Sequence, residues 1–180
     1  KLIVTNTGNV PADEFVIIDI LPFVGDMGVI DLSARLTEWR PNLVTPISAP
    51  AGVTIYYSTV QNPCRTDFVS SGPAGCTAPN WTTILPTDPT TIQSVKYDFG
   101  DLVLKPGDMM TWDMRVPVDA PANGEIAWNS FAYKATRMDN GDTFLPAEPL
   151  KVGIATKLNQ PGNYGNFVWC DTNNDGFQDI

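Results

Sequence analysis

Five residues near the end of the chain have the types and spacing of a cation loop. Asp171, Asn173, Asp175 and Asp179 set side-chain oxygens at loop positions 1, 3, 5 and 9, and Phe177 at position 7 offers its backbone carbonyl. Gly176 falls at position 6, where such a loop must turn sharply. A hard cation takes roughly six to eight oxygens, and alternate residues of a tight loop converge on one point. The pattern predicts calcium; the bland alternative is an Asp/Asn/Gly-rich surface turn. Position 12, which supplies a bidentate carboxylate, falls past Ile180, so the loop is expected to be completed in a longer chain.

Cys64 and Cys76 form the second chemical pair. They flank a turn-rich loop from Arg65 to Gly75, and closing a loop of that size is easy. In the chain-entropy model a bridge there stabilises by roughly 3 kcal/mol. A soft-metal site would need two more thiol or imidazole ligands, which the sequence does not offer. Cys170, between Trp169 and Asp171, is read as a small buried hydrophobe.

Catalysis is not expected. With no histidine, a Ser–His–Asp or Cys–His arrangement is impossible, and no phosphate-cradling glycine loop occurs. Asp and Glu total 20 but are scattered through turns. Among five tryptophans, Trp39 and Trp81 lie in loops and are the candidates for stacking on a sugar ring, against a plain packing role. Trp112, Trp128 and Trp169 lie in strand-like runs and read as core. Asn80-Trp81-Thr82 matches a glycosylation triplet but is read as sequence coincidence.

The elements that must position these groups are strands. Of 180 residues 43 % are hydrophobic and only 17 % charged, while Gly and Pro number 14 and 16. β-Branched and aromatic runs punctuated by turn residues argue for many short strands. The expected strands are Lys1 to Thr5, Glu14 to Leu21, Val53 to Val60, Ile92 to Phe99, Leu102 to Leu104, Met109 to Val116, Gly124 to Tyr133 and Pro149 to Ala155. A bend at Asp139-Asn140-Gly141 follows favoured turn chemistry. Residues 23–52, with Pro41, Pro46 and Pro50, read as an extended surface excursion, and residues 61–91, with Pro63, Pro73, Pro79, Pro86 and Pro89, as loop-rich. A net charge of −9 argues against nucleic acid or an anionic membrane as partner, and no apolar run is long enough to span a bilayer.

Several phrases carry a family likeness. Val4-Thr5-Asn6-Thr7-Gly8-Asn9, then Ile18-Asp19-Ile20-Leu21-Pro22, Leu104-Lys105-Pro106-Gly107-Asp108 and Gly124 to Tyr133 follow one another in the order of the DUF11-type extracellular β-sandwich repeat, which they resemble. Phe167-Val168-Trp169 leading into the aspartate loop resembles the opening of an SdrD B-like repeat. The resemblance implies an all-β, immunoglobulin-like β-sandwich over residues 1–156 with a long disulfide-pinned loop region. A linker over 157–165 and the first strand of a second β domain over 166–180 would follow. It implies a structural or adhesive module of a bacterial extracellular surface protein, a stalk, adhesin or filament, stiffened by calcium at the junction between domains. The partners would be neighbouring domains of the same chain, other copies in a filament, or a glycan or protein recognised by residues 23–91. An extracellular setting makes the Cys64–Cys76 bridge the expected state. Surface sandwiches of this kind sometimes join a lysine to an asparagine beside a buried acid. Lys1, Asp19 and Asn129 would be the three members here if their strands pair; a solvent-exposed Lys1 is the plain alternative.

Overall fold

The structure, a computed structural model, describes residues 2–70, 72–113 and 124–155. It is all-β, and its elements pair antiparallel. One sheet has four strands in the order β3 (Thr54–Ser58), β4 (Ser94–Asp98), β2 (Ala12–Ile20) and β7 (Phe131–Arg137). Two ribbons accompany it: β1 (Leu2–Thr5) with β5 (Met109–Trp112), and β6 (Ile126–Asn129) with β8 (Val152–Ala155).

β2 is the central element. Its second half, Val16-Ile17-Ile18-Asp19-Ile20, does not alternate apolar with polar, the pattern of a strand covered on both faces. Register explains the coverage. Ile17 lies between Tyr97 of β4 and Tyr133 of β7, and Asp19 between Val95 and Phe131. Ile17 faces a core shared with Leu2, Val4, Tyr97, Phe99 and Trp112, which joins the sheet to the β1–β5 ribbon. Ile18 and Ile20 face the other way, onto Val29, Phe68 and the partly buried Trp81, all from the long loops. The molecule thus has a third layer made of irregular chain.

That layer corrects one expectation. Residues 23–52 are no surface excursion: Asp26, Val29, Arg35, Thr37, Trp39, Leu43 and Ile47 are all buried. Proline spacing hid this, because buried irregular chain needs hydrogen-bond partners that only tertiary neighbours supply. Two strand boundaries also differ. Leu104 forms only an isolated bridge to Ala12. The expected closing strand from Gly124 to Tyr133 breaks at Ser130 into β6 and β7, which belong to different sheets. The bend after β7 is present, with the amide of Gly141 donating to the carbonyl of Arg137 at 2.9 Å.

Candidate functional site

Cys64 and Cys76 are joined by a disulfide. The bridge closes a loop that also has anchors of its own. Phe68 packs into the second core, and Arg65, only 2 % exposed, reaches out of the loop into residues 28–29. Its Nε donates to the carbonyl of Val29 at 2.6 Å, one terminal nitrogen to Gly28 at 3.0 Å, and the other to Pro63 at 2.9 Å. Burial, with Arg35 nearby, lowers its pKa to about 10, so the group stays charged at neutral pH. The charge is held by carbonyl dipoles, as a buried cation requires.

A second buried arginine ties the layers together. Arg35 Nε donates to Ser130 Oγ at 3.0 Å, and its terminal nitrogens donate to the carbonyls of Ile20 at 2.8 Å and Ser130 at 2.8 Å. It also pairs with the buried Asp26 at 3.3 Å. One planar group therefore links the end of β2, the β6–β7 junction and the loop layer. Burial raises the pKa of Asp26, against the pull of Thr37 and Arg35.

Glu148 closes the arrangement. Its carboxylate accepts from three successive amides, Val29 at 2.9 Å, Ile30 at 2.6 Å and Asp31 at 2.9 Å, and from Ser130 Oγ at 2.5 Å. Successive backbone N–H groups aimed at one point form an anion nest; here the anion comes from the chain itself. Gly28 is required beside it, because a Cβ there would sit 2.0 Å from the carbonyl oxygen of Asp31 and 3.0 Å from the Glu148 carboxylate.

Asp19 and Asn129 come together. Asn129 Nδ2 donates to Asp19 Oδ2 at 3.2 Å. Asp19 is fully buried, and burial raises its pKa from 3.8 to about 6, against the lowering effects of Arg35 and Asn129. The other carboxylate oxygen and the amide oxygen of Asn129 are buried and accept no hydrogen bond among the described residues. Both residues line a cavity of about 270 Å³ whose wall includes Leu2. Lys1, the third expected member, lies outside the described residues.

The two loop tryptophans part company. Trp39 is 4 % exposed and belongs to the core, so it offers no face to a ligand. The proline-rich context suggested a loop, correctly, but not that the loop is buried. Trp81 is half-buried against the second core, with the Lys96 ammonium 5.6 Å from its ring and 4.4 Å from that of Tyr56. Such cation–π geometry satisfies both rings. Trp112 is core, as expected. The proposed calcium ligands Asp171, Asn173, Asp175, Phe177 and Asp179 lie outside the described residues. Sequence reasoning missed Arg35, Arg65 and Glu148. Isolated charges in loops look like solvated surface, and only their packed surroundings show otherwise.

Among the described residues no cluster of three or more metal-ligating side chains occurs, and no helix is long and apolar enough to cross a membrane. Compared with known proteins, the chain matches no family model, no curated protein and no solved structure.

Proposed function

We infer that the protein is a structural module of an extracellular bacterial surface protein, a segment of a stalk, adhesin or filament. The observation that carries the reading is that its long loops are built to be held rather than to receive. A disulfide, two buried arginines and a carboxylate in a backbone nest fasten them to one another, to the end of β2 and to the β6–β7 junction, and Trp39, a candidate stacking platform, is consumed by the core. A segment under tension needs loops that do not peel from the fold, and a disulfide is retained where thiols are kept oxidised. The DUF11-type and SdrD B-like phrases supply the cell-surface setting. Calcium bound through Asp171, Asn173, Asp175, Phe177 and Asp179 would stiffen the junction to a following domain, and neighbouring domains or copies would be the partners.

Pulling the chain by its ends tests the mechanical role. A cooperative force peak is expected, and the released length should grow by about 40 Å on reduction, as the residues between Cys64 and Cys76 join the extension at roughly 3.5 Å each. Antibody labelling of intact cells tests the setting. Gradual extension without a peak, or labelling only after permeabilisation, refutes the reading. Saturable glycan binding lost in Trp81→Ala would favour the binding-module alternative, in which residues 23–91 recognise a glycan or protein.

A further inference from the structure

The hairpin tip after β7 carries chemistry that the fold does not use. Asn140 and Gly141 are consecutive and exposed, and Gly141 has a φ of 74°, where glycine is favoured. An asparagine followed by glycine offers its carboxamide carbon to the next backbone nitrogen with no Cβ in the way. Here the carboxamide is also engaged at both of its polar atoms. Asn140 Oδ1 accepts from the amide of Asp142 at 3.0 Å, and Nδ2 donates to Asp142 Oδ2 at 2.6 Å. The first contact stabilises negative charge that develops on Oδ1. The second sets a carboxyl group against the nitrogen that would leave, where it can carry a proton. Only the nucleophile is restrained. The Gly141 N–H donates to the carbonyl of Arg137 at 2.9 Å, so attack waits for the turn to open, as exposed chain does locally.

We propose that Asn140 is a self-modification site, at which the chain converts its own asparagine to aspartate and isoaspartate. The Gly141 nitrogen gives its proton to solvent and bonds to Asn140 Cγ, and the carbonyl electron pair moves onto Oδ1. That pair returns as the Cγ–Nδ2 bond breaks, and Nδ2 takes a proton through Asp142 and leaves as ammonia. Water then opens the cyclic imide. Opening at one carbonyl gives aspartate. Opening at the other leaves the backbone running through Cβ and Cγ, one carbon longer. Water is the sole co-reactant.

The product forms where it alters the fold. Its carboxylate would face Asp142 in place of Nδ2, exchanging an attraction for a repulsion between like charges. Arg137 is already engaged by Asp139, through Nε at 2.9 Å and a terminal nitrogen at 2.6 Å. The turn fixes the segment that returns along β7, where the amide of Phe144 donates to Ala135 at 2.8 Å and that of Ala147 to Tyr133 at 2.9 Å. The same segment leads into Glu148 and its nest of amides. Conversion at Asn140 therefore loosens the strap that carries Glu148.

The test is to incubate the whole chain at pH 7.5 and follow it by peptide mapping and mass spectrometry. The peptide holding Asn140 should gain the mass difference between a carboxyl and a carboxamide and resolve into two products. Asn140→Gln, which would have to close a larger ring, should stay unmodified. Asp142→Asn keeps the backbone amide and removes the proton carrier, so conversion should slow roughly ten-fold or more. An Asn140 peptide that stays unchanged overturns the proposal, as does conversion at the wild-type rate in Asp142→Asn. Hydrogen exchange reads the consequence. The amides of Phe144 and Ala147 should lose protection in the converted chain, and in part in Asn140→Asp, which supplies the carboxylate without the longer backbone. Protection that survives conversion refutes the loosening of the strap.

Discussion

Replacing Asp19 with asparagine should stabilise this protein, and by an amount that depends on pH. Asp19 is fully buried, and its carboxyl ionises at about 6 instead of the ordinary 3.8 because burial opposes the charge. A raised acid binds its proton more tightly folded than unfolded. Well below pH 3.8 it is protonated in both states and has no effect. Between pH 4 and 6 the unfolded chain gives up the proton first, so stability falls as pH rises, and above pH 6 the full loss is in place. At about 1.4 kcal/mol per pH unit, the gap between 3.8 and about 6 amounts to about 3 kcal/mol. Asp19→Asn keeps the shape and an oxygen for Asn129 Nδ2, yet has nothing to ionise. Urea unfolding of the variant and wild type at pH 4, 5, 6 and 7.5 isolates this group, because every other carboxylate is common to both. The variant's advantage should grow from about 0.5 kcal/mol at pH 4 to about 3 kcal/mol at pH 7.5. A constant difference, or a variant that loses ground as pH rises, would mean that Arg35 holds Asp19 ionised and that burial is not the dominant influence.

Three further outcomes are expected. Glu148→Ala should cost about 3 kcal/mol, since it strands the amides of Val29, Ile30 and Asp31; hydrogen exchange should show those three amides losing protection, and unchanged exchange would refute the nest. Converting both Cys64 and Cys76 to alanine should lower unfolding free energy by roughly 3 kcal/mol, measured against the oxidised wild type; equal stability would show that Phe68 and Arg65 alone hold the loop. In a chain carried past Ile180, so that loop position 12 is filled, calcium should raise the melting temperature by mass action, and Asp171→Ala and Asp175→Ala should each abolish the rise. Melting that is identical in calcium and in chelator would leave the loop as a turn.

The strands were legible because their signal is local. Ile55-Tyr56-Tyr57 and Val95-Lys96-Tyr97 are β-branched and aromatic, and the four-stranded sheet forms where those runs lie. The Cys64–Cys76 pairing was legible too, since a short spacing in a turn-rich loop leaves few alternatives. What tertiary structure alone decided is the buried polar network and the buried loop layer. Arg35 and Arg65 are single charges among prolines and glycines, and nothing in their neighbourhood along the chain distinguishes them from solvated side chains. Their roles depend on carbonyls of Ile20, Gly28, Val29 and Ser130, brought to them across as many as 95 residues of sequence. Asp19 stands within an apolar strand, and its partner Asn129 is 110 residues away. Its elevated pKa exists only because the fold removes water from around it. Hydrophobic pattern depends on each residue's own neighbours, so it can be read along a chain; hydrogen-bond satisfaction and desolvation depend on what the fold places opposite, so they cannot.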